Sequence, residues 1–380
     1  MRRSSSSLQL LNWPDTLISD VAFKQEQAKL SGTWTFLGHR EDVANDGDWF
    51  KTSLATRSVI VQRVGARVIG FENLCARHGR PLRSGEKGNG EILCVRCARS
   101  HEEGTRAGAL MSRKGTRGNG SLNCELLEID SCGALIFGRF RSAAKAGSLR
   151  EFLGEGFPII EAFWAAPRSS HSYSRIIQAN WRLCVHITVE EYHVPAVHLP
   201  YWGKAGYLKR ENIGYFRFEQ HSAYFTTPEA NALSKMAAEI QNRTWRSANY
   251  RVFHIFPGFA VSHARADREH WYVSAMQFLP LSAGTTLLRY WASPSPFQSA
   301  VKAPWYDRLL DRFRIVRYVR DKIVEHYSKK IQAQDTAICE TSQTIARQSV
   351  PLQVLGTLEE RIEWFESTYR QAMTIAVAKS

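Results

Sequence analysis

Cysteine, histidine and carboxylate side chains gather at separate places in this sequence, and their spacing limits what they can bind. In NLCARHGRPLRSGEKGNGEILCVRCARSH, residues 73–101, Cys75 and His78 lie on one side of a Gly-rich spacer and Cys94 and Cys97 on the other. Two ligand pairs facing each other across a hairpin suit zinc, for which three thiolates and one imidazole are an ordinary set. They also suit an iron–sulfur cluster, whose potential falls when a thiolate replaces an imidazole. A hairpin that holds nothing is the third reading.

The stretch NWRLCVHITVEEYHVPAVHLP, residues 180–200, carries Glu190, His193 and His198. If Glu190 to His193 is the last turn of a helix, those two share a face, and Pro195 pushes residue 194 out of the α region. The bend matters, because five residues of straight helix would set His193 and His198 about 140° apart. Two imidazoles brought together with one carboxylate make a facial triad that leaves open positions on Fe(II) for oxygen. Asp335, in IQAQDTAICETSQ, is the candidate carboxylate. It follows Ile331 by four residues and precedes Ile338 by three, so a continuing helix puts it on the buried stripe. An unpaired charge is costly there, and a divalent cation offsets that cost. The competing readings are a helix that ends near Ile331 with Asp335 capping it or facing water, and histidines that bind no metal.

The elements that position these groups follow from periodicity. Residues 58–72 alternate and turn at Gly65, and residues 122–138 repeat the pattern with a turn near Ser131-Cys132-Gly133, so the first part reads as a small antiparallel β unit. Residues 98–121, rich in Arg, Gly and Ser and free of aromatics, predict a loop, and residues 139–155 a connector. From Ser172 onward, strand-like stretches such as RVFHIFPGFAVSHA and HWYVSAMQFLPL alternate with helical ones, which predicts an antiparallel sheet flanked by helices. The whole is an α+β arrangement. Leu309, Phe313, Val316, Val319, Ile323, Tyr327 and Ile331 recur at helical steps and mark the buried stripe of one long helix; residues 357–377 form another. Trp202, Tyr207, Tyr215, Phe216 and Phe218 offer aromatic surface for a substrate pocket, or simply for a core.

A chain of 380 residues is long for one core, so two domains are expected. The seven cysteines suit a reducing compartment better than a disulfide framework, with Cys124, Cys132, Cys184 and Cys339 as buried fillers. No apolar run approaches the length of a membrane span and the N-terminus lacks an export segment, so a cytoplasmic protein without membrane contact is expected. The formal charge of +14 has two basic clusters, one around the Cys/His hairpin and one from Arg312 to Lys330. With Cys-x2-His and Cys-x2-Cys pairs it admits a zinc-dependent nucleic-acid-binding protein, which leaves the second ligand block unexplained.

Taken together, the constellations resemble the catalytic α subunit of Rieske non-haem iron ring-hydroxylating oxygenases, over roughly residues 22–375. FENLCARHGRPL…GNGEILC at 71–94, NWRLCVHITVEEYHVPAVH at 180–198 and QDTAICETSQ at 334–343 carry the resemblance. It implies an N-terminal extension (1–21), a small antiparallel Rieske-like [2Fe–2S] domain (22–145) and a helix-grip, START-like catalytic domain (146–380). It implies that His193, His198 and Asp335 bind a mononuclear Fe(II), and that Glu190 bridges an iron ligand to a Rieske histidine of the neighbouring subunit in a homotrimer. A ferredoxin or reductase would donate electrons, and O2 would be used to hydroxylate or dioxygenate an aromatic or quaternary-amine-like substrate, as in aromatic hydrocarbon catabolism. The first domain departs from the family pattern. Cys-x-His followed by Arg-Gly becomes Cys75-Ala76-Arg77-His78-Gly79, and Cys-x2-His becomes Cys94-Val95-Arg96-Cys97. A cluster on Cys75, Cys94, Cys97 and the displaced His78, a zinc ion on the same groups, and a broken site arising from a local reading-frame shift all remain open. The last would make the chain a catalytically silent homologue.

Overall fold

The computed structural model describes residues 10–11, 17–75, 79–90, 124–144, 146–165, 169–198, 210–267, 269–302, 304–305, 309, 311–348, 353–354, 356 and 358–374. In chain order the first part runs β1 (Leu10–Leu11), α1 (Asp20–Leu30), β2 (Thr35–His39), β3 (Asp48–Leu54), β4 (Arg57–Val64), β5 (Arg67–Glu72), β6 (Lys87–Asn89), β7 (Leu127–Cys132) and β8 (Leu135–Phe140). The second runs α2 (Leu149–Leu153), α3 (Gly156–Phe163), β9 (His171–Ile177), α4 (Trp181–Val189), α5 (Val194–Val197), β10 (Gly214–Phe218), β11 (His221–Phe225) and α6 (Ala232–Gln241). It continues through β12 (Arg251–Ile255), β13 (Phe259–Arg265), β14 (Trp271–Ser282), β15 (Thr285–Pro294), α7 (Arg314–Arg347), β16 (Gln353–Val354) and α8 (Glu360–Thr374).

These strands form antiparallel sheets in the orders β5-β4-β3-β6, β2-β8-β7 and β10-β11-β12-β13-β14-β15-β9, with β1 paired to β16. The α+β class and the two hairpins expected from alternation are observed, with Val64 opposite Arg67 and Cys132 opposite Leu135. Gly133 turns the second hairpin at a φ of +59°, and a Cβ there would lie 2.5 Å from the Trp164 carbonyl oxygen, so both backbone and space demand glycine.

Period-two alternation gives the seven-stranded sheet two apolar faces. Phe253, Phe259, Val261, Val273 and Trp291 pack on one side with α3, α6 and the β2-β8-β7 sheet through Phe36 and Phe137. On the other side Ala260, Phe278 and Leu288 pack with α4, α7, α8 and α1. Helix α1 straddles the expected boundary at residue 22, yet its Phe23 and Leu30 join the core of the second part, beside Trp181 and Tyr369. Within 139–155, the expected connector, α2 buries Leu149 and Leu153.

The long helix is observed, but it begins at Arg314, after Leu309 and Phe313 of the expected stripe, and the stripe is not buried along its whole length. Val319, Ile323 and Tyr327 are 47%, 49% and 46% exposed, whereas Cys339, Gln343 and Ala346 are buried. Periodicity shows which residues share a face; it does not say whether that face meets a core or a cavity. Among the described residues no helix is long and apolar enough to cross a membrane.

Polar bonds in the second core tie three helices together. Glu26 of α1 accepts from Trp181 Nε1 (2.8 Å) and Tyr369 Oη (2.6 Å), and Glu366 of α8 lies 2.5 Å from Arg182 Nη2 and 2.8 Å from His186 Nε2. Burial alone would raise the Glu366 carboxyl, but the Arg182 guanidinium and the His186 ring outweigh it and hold it at about 2. Replacing Glu366 by Gln should cost about 3 kcal/mol at neutral pH, because Arg182 stays buried without its counter-charge. A depressed folded-state pKa contributes stability above the ordinary carboxyl value of 4.5, lost as pH falls toward about 2. Urea unfolding of both proteins should therefore show a gap that is full at neutral pH and narrows through that window.

Candidate metal centre

Three elements bring the second ligand block together. Helix α4 begins at Asn180, whose side chain accepts from the Arg182 N–H (2.9 Å) while its amide donates to the Ala283 carbonyl (2.8 Å). It ends at Val189, and Glu190 is already extended, with φ −122° and ψ 151°. Glu190 to His193 is thus not the last helical turn that spacing suggested. His193 instead caps the four-residue helix α5, and His198 closes it. Pro195 sits in the first turn of α5, where a missing N–H costs nothing because no carbonyl lies there to receive it. The proline starts a helix rather than stopping one. The two rings meet edge to face with centroids 5.1 Å apart.

Helix α7 runs unbroken past Ile331, so Asp335 neither caps it nor ends it. Its Oδ1 lies 2.9 Å from His198 Nε2 and 3.6 Å from His193 Nε2, and one ligand atom from each of the three residues falls within 4.8 Å of the others. On the far side of each ring an acceptor orients it. His193 Nδ1 is 2.5 Å from Glu190 Oε1, and His198 Nδ1 is 2.9 Å from Gln334 Oε1. With the protons held on Nδ1, both Nε2 lone pairs face Asp335. Oδ1 of Asp335 is buried and has no hydrogen-bond donor. Burial opposes protonation of His193, but its bond to Glu190, with Asp335 and Glu191 nearby, outweighs that and raises its pKa. Once both Nε2 atoms are deprotonated, as metal binding requires, one carboxylate and two imidazoles carry a single negative charge, a donor set suited to a divalent transition metal.

Two adjacent glutamates compete for a role here, and packing separates them. Glu191 is engaged away from the centre, 2.5 Å from Arg361 Nη1 and accepting from Tyr215 Oη at 3.3 Å, whereas Glu190 faces His193. Gln334, whose Nε2 also donates to the Val197 carbonyl (3.0 Å), and Gln332, which donates to Asp335 Oδ2 (3.3 Å), escaped sequence reading. Only position marked them, since both sit within three residues of Asp335 on α7.

A cavity of about 450 Å³ opens beside the triad, between the sheet and α7. Its aromatic lining is Tyr224, Tyr250, Tyr272, Tyr290 and Tyr327. The aromatics expected there lie elsewhere. Phe216 and Phe218 belong to the core on the opposite face of the sheet, and Tyr215 bonds Glu191 and the Leu358 carbonyl. Trp202 and Tyr207 lie outside the described residues.

Of the hairpin ligands, Cys75 is buried beside Trp49, Ile60, Phe71 and Leu82 at the end of the β4–β5 unit. His78, Cys94 and Cys97 lie outside the described residues. Cys132, Cys184 and Cys339 are buried as expected, while Cys124 is half-buried and its thiol donates to the Leu74 carbonyl (2.9 Å), one residue from Cys75.

The family model described as "Ring hydroxylating alpha subunit (catalytic domain)" matches residues 164–375. Toluate 1,2-dioxygenase subunit alpha of Pseudomonas putida is 25% identical over 191 residues, 45% of this chain and 40% of that relative. The chain therefore matches less than half the length of that curated relative. Among solved structures, the quaternary ammonium Rieske monooxygenase CntA superposes with a TM-score of 0.72 at 13% identity, over 97% of this chain and 96% of that one. Naphthalene 1,2-dioxygenase from Rhodococcus sp. does so with a TM-score of 0.68 at 15% identity, over 96% and 94%. At these identities the superpositions speak to the fold.

Gln334→Leu should remove the acceptor that orients His198 and weaken binding of a divalent metal by about tenfold or more. A chelator-competition titration with Co(II) checks this, with circular dichroism expected to stay unchanged.

Proposed function

We propose, from the premise that this chain belongs to the ring-hydroxylating α-subunit family, that it is an oxidoreductase which oxygenates an apolar organic substrate in the cavity beside His193, His198 and Asp335. The observation that carries this reading is the buried Oδ1 of Asp335, without a hydrogen-bond donor and facing two imidazole Nε2 atoms. An orphaned carboxylate oxygen in that setting fits a ferrous ion. Bound there, iron would supply the activation of O2 that no side chain can perform.

The protein's own residues do the rest. Glu190 and Gln334 accept at Nδ1 of the two rings, so each imidazole turns Nε2 inward, where a bound cation would displace any proton that His193 carries. Gln332 holds Oδ2 of Asp335, leaving Oδ1 turned to the centre. Met276 and Ile331 line the adjoining wall with apolar surface, which excludes water from the reacting region and seats an aromatic or amine-bearing hydrocarbon.

The remaining parts of the reading concern the first domain. Cys75, with His78, Cys94 and Cys97, would hold a [2Fe–2S] cluster fed by a ferredoxin or reductase, and Glu190 would face the cluster of a neighbouring subunit in a homotrimer of the cytoplasm. The displaced His78 and the cysteine at position 97 favour a second reading, a homologue that folds and loads mononuclear iron but receives no electrons. A nucleic-acid-binding role gives the triad nothing to do.

Anaerobic purification followed by counts of iron, zinc and acid-labile sulfide separates these. Iron with sulfide supports the oxygenase, iron without sulfide the silent homologue, and zinc alone the structural hairpin. Asp335→Ala should lose the mononuclear iron and keep whatever metal the hairpin holds; equal iron in variant and parent would refute the triad.

A further inference from the structure

We propose that Ser262 sets the specificity of the cavity beside the triad: its hydroxyl accepts a hydrogen bond from the substrate, so the site takes an otherwise apolar compound that carries a hydroxyl or N–H group. That such a compound is then oxygenated rests on the oxygenase reading; its recognition does not.

Strand pairing puts Ser262 in the cavity. Val261, Val273 and Ala275 pack into the core on one face of the sheet, so Ser262 and Ser274, which alternate with them, face the other side with Ala260 and Met276. Ser262 stands opposite Ser274 across β13 and β14 and opposite Val252 across β12 and β13, and all three line the cavity. Met276, two residues beyond Ser274, marks the triad end, since its sulfur accepts from Gln332 Nε2 (3.6 Å) and Gln332 in turn bonds Asp335. Those two residues of strand set the serine pair about 7 Å from that end.

The hydrogen bonds around Ser262 have a direction. Its hydroxyl is 2.6 Å from that of Ser274, and the Tyr290 hydroxyl bonds both Ser274 and Ser328. Ser328, on α7, donates to the Glu325 carbonyl (2.9 Å), a group that can only accept. Each hydroxyl has one proton to give. With that of Ser328 committed, Tyr290 donates to Ser328, Ser274 to Tyr290, and Ser262 to Ser274. The chain of bonds therefore runs from the cavity into the helix, and every proton in it is used. Ser262 stands at its head. It gives its proton to Ser274 and, among the described residues, its oxygen accepts from no other group. Reversing the chain would sacrifice the bond to the Glu325 carbonyl.

The side chains beside Ser262 on the sheet, Val252, Ala264 and Met276, carry no donor for those lone pairs. A ligand hydroxyl or N–H meets them. An ether or ketone oxygen sets lone pair against lone pair instead, and a plain hydrocarbon leaves them unmet.

Equilibrium dialysis of the full chain against 2-naphthol, 2-methoxynaphthalene and naphthalene, one shape bearing a donor, an acceptor alone, or neither, tests this. 2-Naphthol should bind about tenfold more tightly than the other two, the worth of one hydrogen bond. Ser262→Ala should abolish that advantage and leave naphthalene unchanged. Ser274→Ala frees the Ser262 proton, so 2-methoxynaphthalene should bind severalfold more tightly than it does to the parent. Absence of binding, equal affinity for the naphthol and its ether, a naphthol advantage that persists in Ser262→Ala, or an ether affinity that Ser274→Ala leaves at the parent level would each overturn the inference. Iron counted on the same samples keeps the two claims apart. A naphthol preference in protein that takes up no iron sinks the oxygenase reading alone, and iron uptake without the preference sinks this inference alone.

Discussion

A buried carboxylate oxygen with no donor, set between two imidazole nitrogens, is the arrangement on which the second half of this protein turns. Left alone, it would oppose folding, because a desolvated negative charge needs either a hydrogen bond or a cation. Gln332 donates to the other oxygen, Oδ2, and leaves Oδ1 without a hydrogen bond. Glu190 and Gln334 occupy the outer nitrogens of the rings, which turns the inner ones toward Asp335. The chain thereby stores an unmet demand for positive charge at one point, and a divalent ion is the chemistry that meets it.

Helix α7 links that point to the rest of the fold. Its C-terminal half buries Cys339, Gln343 and Ala346 against α4, α8 and the sheet, which anchors the helix. Its N-terminal half carries the same apolar stripe out over the cavity. One rigid element therefore serves as core wall at one end and cavity wall at the other, with Asp335 at the transition. Behind α4, the buried contacts of Glu26, Arg182 and Glu366 hold α1, α4 and α8 to one another, so the residues leading into Glu190 start from a fixed position. Polar groups this deep rigidify only if satisfied, and here the carboxylates are.

The first half is built differently. Its sheets bury a modest apolar core between Leu37, Phe50, Val61, Ile136 and Phe140, and a smaller cluster around Cys75. The β2-β8-β7 sheet also contributes Phe36 and Phe137 to the core of the second half, and Gln277 of β14 bonds the Phe36 carbonyl. The two halves thus share a wall, and the sequence boundary between them is not a boundary in packing.

Much of this was legible in the residues alone. Alternation with glycine turns marked both hairpins of the first half, and acid-x-x-His-x4-His with a distant Asp marked the triad, because ligand chemistry tolerates few residue types. Local rules failed where a local signal has two tertiary outcomes. Pro195 could end a helix or open one, and backbone geometry around His193 decided for opening. The stripe on α7 could face a core or a cavity, and the aromatics near residue 215 could line a pocket or fill the other side of the sheet; which face a strand or helix turns to what neighbour is a property of packing. Gln334 carries no signal until α5 comes alongside it. The sequence determined which side chains could bind a metal, since that depends on atoms each residue carries. Where they meet, which glutamate faces them and what lies open beside them were decided by the tertiary structure, since those depend on distances across elements far apart in the chain.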